Sequence, residues 1–219
     1  MDKLRLRFKK TGRAVYISHL DLMHTMQRAF SRAGYELKYS EGFNPHPQIS
    51  IALPLSVGAS SLCEIMDFKL KKDEELSQMA ARLSAVLPEG IEVIEAYEQT
   101  RKVAEIKWLE ISGIFEYDDK KPEEMKKALE EFYSREKIVI TKKTKRGMGE
   151  MDIKAAIKSI EFEVCSEGVA LKAIISAQEP TLNPELLAEA LRQLCAGIAP
   201  DFAKFERIET FDEKMQIYR

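Results

Sequence analysis

The sequence predicts an α+β chain of two halves with the same element order, and three observations carry that expectation. Short stretches alternate apolar and charged residues with a period of two, as half-buried strands do. Others repeat apolar residues at the three-and-four spacing of an amphipathic helix. The two patterns follow one another in the same succession through residues 1–98 and again through 99–219. A hydrophobic content of 45% beside 32% charged residues is ordinary globular composition and excludes a disordered chain. Each half, at about a hundred residues, is long enough to bury a core without disulfide or metal staples.

The first half opens on a strand over residues 3–10, with Leu4, Leu6 and Phe8 on one face and Arg5, Arg7 and Lys9 on the other. Ser18, three residues before Asp21, resembles a capping box. Leu20, Met23, Met26, Phe30 and Ala33 then recur at helical spacing, and Gly34 stands where a left-handed C-terminal cap is wanted. The spacing predicts a helix over 19–33. Tyr35, Leu37 and Tyr39 alternate as a second strand. Residues 40–47 form neither helix nor central strand, because Pro45 and Pro47 fix their own φ and drive Asn44 and His46 to extended geometry. Residues 48–53 and 62–70 read as strands. A helix opens at Asp73, carries Leu76, Met79, Ala80, Leu83 and Leu87, and a strand over 91–96 closes the half.

The second half repeats the order. A strand holds Trp108, Ile111 and Phe115, and Pro122 begins a helix of Met125, Leu129 and Phe132. A strand from Ile138 runs into a basic stretch. Residues 159–165 and 169–176 pair as a hairpin, Asn183 and Pro184 start a last helix, and residues 202–211 form a closing strand. The order βαββαβ is the ferredoxin-like arrangement. The fold expected is therefore two tandem ferredoxin-like units packed together, over 1–98 and 99–219.

Net charge is −2, yet residues 1–50 hold nine Lys or Arg against four Asp or Glu. Such segregation can make a basic face on a neutral protein. His24, Arg28 and Arg32 lie four apart and form one helical stripe. That stripe suits either a phosphate backbone or plain solvent, and Arg5, Arg7, Lys9, Lys10 and Arg13 ahead of it favour phosphate. Phe43, in a proline-stiffened loop beside Asn44, is placed either to stack on a base or to plug the loop onto the core. His46 between two prolines is held cheaply, as a proton donor and acceptor or as a structural hydrogen-bonder. His19 at a helix start is the other catalytic candidate. Lys142, Lys143, Lys145 and Arg146 give a second basic segment, with an exposed loop as its alternative. The residues expected to meet RNA are thus Arg5, Arg7, Arg13, His24, Arg28, Arg32, Phe43, Asn44, His46, Lys142, Lys143, Lys145 and Arg146.

Much chemistry is excluded. Cys63, Cys165 and Cys195 are odd in number and far apart, which fits reduced cytoplasmic thiols and no disulfide framework. No CxxC, GxxxxGK, GxGxxG or GxSxG occurs, and the three histidines lack metal-binding spacing, so no metal and no cofactor is expected in this chain. No apolar run approaches the roughly 18 residues of a membrane span. The opening MDKLRLRFKK alternates charged and apolar residues without the core of a signal peptide, so a cytoplasmic chain is expected.

Tyr16-Ile17-Ser18-His19-Leu20-Asp21-Leu22-Met23, then residues 39–47 and 49–55, closely resemble a bacterial family, the radical-SAM-linked (radical-SAM-associated) proteins. This is a domain of unknown function. The resemblance implies a partner, a cobalamin-binding radical S-adenosylmethionine protein fused to the domain or encoded beside it. It also implies a neighbourhood with a ribonuclease of the RNase E/G type and ribosomal protein genes. It supplies no activity and no catalytic residues. The expected role is an RNA-binding accessory partner of that enzyme in tRNA or rRNA modification or processing. Two alternatives stand beside it. One is a metal-independent endoribonuclease using His46 or His19, to which the CRISPR repeat-RNA endoribonucleases are a distant fold-level likeness. The other is a purely protein-interacting subunit.

Overall fold

The computed structural model describes residues 3–144 and 147–219. It holds two compact units, Met1–Val103 with Arg219, and Ala104–Tyr218. The chain is α+β, with antiparallel sheet and four α-helices among the described residues.

In the first unit the order is β1 (Leu4–Lys10), α1 (His19–Arg32), β2 (Ile49–Ala52), β3 (Ser60–Phe68), α2 (Met79–Ser84) and β4 (Ile91–Glu98). β1 pairs antiparallel with both β3 and β4, and β2 adds to the far side of β3. The alternation of β1 turns Leu4, Leu6 and Phe8 into a core shared with Leu22, Met26, Ala29 and Phe30 of α1, and with Met79 and Leu83 of α2. Both ends of α1 follow from local sequence. The Ser18 hydroxyl accepts from the Asp21 N–H at 3.1 Å and donates to the Asp21 carboxylate at 2.7 Å. At the other end Gly34 takes φ +82, Tyr35 N–H reaches Phe30 O at 2.9 Å and Gly34 N–H reaches Ser31 O at 3.1 Å. This is a Schellman motif, and the Phe30 and Tyr35 rings meet edge to face across it at 6.4 Å.

Two expected elements differ. Residues 35–39 are not a strand. Only two isolated bridges form there, Leu37 with Leu70 and Tyr39 with Pro47. The segment leaves the Schellman turn directly, and Pro47 has no N–H to offer a continuous ladder. The expected helix from Asp73 begins only at Met79. Its acidic start satisfies polar groups locally instead, with the Ser77 hydroxyl on the Glu75 carboxylate at 2.6 Å.

In the second unit the order is β5 (Trp108–Glu116), α3 (Pro122–Tyr133), β6 (Val139–Thr144), β7 (Gly147–Asp152), β8 (Ile157–Cys165), β9 (Gly168–Ser176), α4 (Glu185–Leu194) and β10 (Phe202–Phe211). β10, β5, β9 and β8 are neighbours in that order, all antiparallel. β6 and β7 form a separate hairpin between α3 and β8. β7 carries Gly147, Gly149 and Met148, which show no apolar alternation, so nothing in its sequence announces a strand. Gly168 at the β8–β9 turn has φ +142, and a Cβ there would sit 2.3 Å from Phe115 O. Among the described residues no helix is long and apolar enough to cross a membrane.

Replacing Ser18 with Ala is expected to cost about 1 kcal/mol. Urea unfolding followed by circular dichroism measures it, and an unchanged midpoint would remove the cap from this account.

Candidate nucleic-acid interface

The charges of β1 are matched within the first unit. Arg5 is opposite Asp67 in the β1–β3 register, and Arg7 is opposite Glu95 and Lys9 opposite Glu92 in the β1–β4 register. Cross-strand pairs of opposite sign follow. Arg5 has no exposed surface, and its Nε and Nη2 donate to the two Asp67 carboxylate oxygens at 2.6 and 3.1 Å. Arg7 Nη1 lies 3.9 Å from Glu95, and Lys9 Nζ lies 3.3 Å from Glu92. Lys10 is buried and donates to Val15 O at 3.2 Å. Burial pushes its ammonium below the ordinary lysine range, against the opposing pull of Glu64. Arg5 therefore contributes nothing to an exposed basic face, contrary to expectation, and Arg7 is mostly covered. The acids of β3 and β4 take up this charge.

Helix α1 behaves differently. Its Leu22, Met26, Ala29 and Phe30 are buried, which leaves His24, Arg28 and Arg32 exposed on the opposite side. Arg28 and Arg32 line a groove of about 690 Å³ whose other wall includes Tyr39 and Lys71. Arg32 is steadied by a 2.7 Å hydrogen bond from its Nη2 to Val86 O, and Lys71 pairs with Glu36 at 3.5 Å. Tyr39 is about half exposed. The groove thus joins cations to an aromatic ring, a composition that suits a phosphate chain with stacked bases. Arg13 and His19 are exposed but do not line it.

The loop over residues 40–47 is pinned by its own backbone. Ser40 N–H donates to His46 O at 2.8 Å, and His46 N–H donates to Ser40 Oγ at 3.1 Å. His46 Nδ1 sits 3.0 Å from the same hydroxyl. Phe43 is fully exposed at the tip and touches no core, so the plug reading fails. Asn44 and His46 are exposed as well. Tyr39, paired with Pro47, connects this loop to the groove. His46 also borders a second cavity of about 300 Å³, with Gln48, Asp67, Lys69 and Gln99.

In the second unit Lys143 is exposed and Lys142 half-buried on β6, while Lys145 and Arg146 lie outside the described residues. The β6–β7 hairpin stands between the first helix and the edge strand β8 of its unit. The 40–47 loop stands between α1 and β2 in the first, so the two segments are equivalent in chain order. Among the described residues no cluster of His, Cys, Asp or Glu could hold a metal ion.

Residues 3–184 match the model of a family described as uncharacterized proteins conserved in bacteria, DUF2344. The chain belongs to this family. The match to DUF2344 spans nearly all of the first unit and most of the second. No curated protein matches the sequence. Among solved structures the DUF2344 chain is similar to a chain of a Cbf5-Nop10-Gar1 complex, at 12% identity and a TM-score of 0.50, over 96% of this chain and 50% of that one. It thus spans half the length of that chain, and the likeness supports the fold alone. A protein from Galdieria sulphuraria aligns at 10% identity and a TM-score of 0.27, over 94% of this chain and 98% of that one.

Sequence reasoning missed Tyr39, Asp67, Lys69, Lys71 and Gln99. One signal was present for Asp67, an acid between Met66 and Phe68 in an apolar run that also holds Glu64. Truncating it with Asp67→Ala strips a fully buried guanidinium of its bidentate carboxylate, and such losses cost about 3 kcal/mol or more. Urea denaturation is expected to show that drop. A change under about 1 kcal/mol would mean that Arg5 is held mainly by other groups.

Proposed function

We propose that this protein is an RNA-binding accessory partner of a radical S-adenosylmethionine enzyme, acting in the cytoplasm in tRNA or rRNA modification or processing. The observation that carries the reading is the groove that Arg28, Arg32, Lys71 and Tyr39 line together, with Phe43 fully exposed in the loop that follows Tyr39. Guanidiniums attract phosphate and aromatic rings take stacked bases, and single-stranded RNA needs both. The enzymatic partner rests on the family resemblance of residues 16–23, 39–47 and 49–55, and radical chemistry would belong to that partner. We further read each unit as ferredoxin-like. The strand orders β4-β1-β3-β2 and β10-β5-β9-β8, with a helix after the first and third strands, support it, the β6–β7 hairpin being an insertion in the second.

His46 favours a second reading, an endoribonuclease. Its Nδ1 is fixed by Ser40, and its Nε2 has no partner among the described residues, the arrangement of an oriented acid or base. RNA cleavage that persists at full rate in His46→Ala would exclude His46 from that role.

Binding to a single-stranded RNA should weaken steeply as salt rises. Arg28→Ala with Arg32→Ala should flatten the log–log salt slope by up to about two phosphate contacts, measured by fluorescence anisotropy. Absent or salt-independent binding would dispose of the RNA role. Phe43→Ala should weaken the same RNA by roughly tenfold, since one stacked base is worth about 1–3 kcal/mol, and should leave the salt slope unchanged.

A further inference from the structure

We infer that the 300 Å³ cavity beside His46 is a nucleotide pocket that selects guanosine, a reading that rests on and deepens the RNA-binding role. Four observations build it. First, Asp67 lines the cavity with its side chain 23% exposed, while the guanidinium beneath it is completely buried. A carboxylate gripped at both oxygens by one guanidinium cannot swing. Second, its hydrogen-bond capacity is unevenly used. Oδ2 accepts from Arg5 Nη2 at 3.1 Å and from Gln99 Nε2 at 2.9 Å, whereas Oδ1 accepts only from Arg5 Nε at 2.6 Å. One lone pair of Oδ1 is left for a ligand.

Third, the neighbouring amides add acceptors. Gln99 donates one N–H to Asp67 at 2.9 Å and Gln48 one N–H to Tyr39 O at 3.2 Å, which leaves each amide its oxygen, an acceptor, beside a second N–H. The acceptor-rich wall fits a base edge with adjacent donors. Among the four RNA bases only guanine presents N1–H and an amino group side by side on its Watson–Crick edge. Fourth, part of the rim is polar and cationic. Lys69 borders the cavity, and His46 offers Nε2. A ligand that is anionic at one end and donor-rich at the other meets both requirements, and a guanosine phosphate is such a ligand. The cavity takes one base, with apolar Ile49 available to its face.

The source of the nucleotide is either an unpaired residue of RNA or a free mononucleotide, and one experiment separates them. Calorimetric titration of the full chain with GMP, AMP, CMP and UMP should show GMP bound at least tenfold more tightly than the others. Matched single-stranded RNAs with and without one guanosine should differ by a similar factor. Asp67→Asn replaces an acceptor with a donor and should erase the preference. Gln99→Ala should weaken GMP selectively without uncovering Arg5, which keeps the test valid if the Asn variant unfolds. Lys69→Ala should weaken all four nucleotides alike. Equal affinities for the four, or a GMP preference untouched by both Asp67→Asn and Gln99→Ala, would overturn the inference. RNA binding without guanosine preference would leave the groove reading intact and defeat this one. GMP binding without RNA binding would uphold the pocket as a site for free nucleotide and defeat the RNA role.

Discussion

Arg5 gives up all contact with water, and it can do so because Asp67 lies directly across the β1–β3 ladder. A guanidinium in such a place is tolerated only with its charge and its donors met together, and the two-point contact with the carboxylate supplies much of both. The consequence reaches beyond β1. Asp67 is drawn to one geometry, Gln99 is bound to Asp67, and the end of β4 is thereby tied to β3 across β1. The wall of the smaller cavity inherits its rigidity from this charge pair, so a structural interaction and the shape of a candidate binding site share the same atoms.

That arrangement explains how a surplus of cations near the start of the sequence divides into two populations. β1 alternates charge in the pattern of a strand, and its antiparallel neighbours answer with Asp67, Glu92 and Glu95. The α1 cations have no such answering strands. On a helix the apolar stripe turns inward and carries the others to solvent, leaving Arg28 and Arg32 beside a groove. Secondary structure, more than local charge density, decides which basic residues remain available to an anion.

The readable parts of the sequence are those fixed over short distances. Helix α1 is legible at both ends because Ser18 and Gly34 act within a few residues of what they cap. The loop over 40–47 is legible because prolines restrict their immediate neighbours. The fate of Arg5 is not, since its partner lies 62 residues away. Lys9 answers to Glu92 at a separation of 83. Tyr39 was hidden for a related reason. Its alternation with Tyr35 and Leu37 imitates a strand, while its actual position is set by a single bridge to Pro47 and by the turn that ends α1. β7 offers too few apolar residues for any periodicity to register.

The loop from Ser40 to Pro47 has a further physical property that bears on recognition. Ligand binding commonly costs free energy because side chains and loops must be ordered, on the order of 0.5–1.5 kcal/mol for each immobilised side chain. Here the two prolines and the reciprocal Ser40–His46 hydrogen bonds order the backbone beforehand. His46 has its ring set by the same hydroxyl that its backbone N–H engages, so it meets a ligand with little left to lose. Phe43 is the counterexample within the same loop. Its ring stands wholly in solvent, a costly position for an apolar surface unless something periodically covers it. A rigid frame with one exposed ring at its tip is economical for stacking, because the frame holds the ring in reach and the ring supplies the apolar contact that the polar frame lacks.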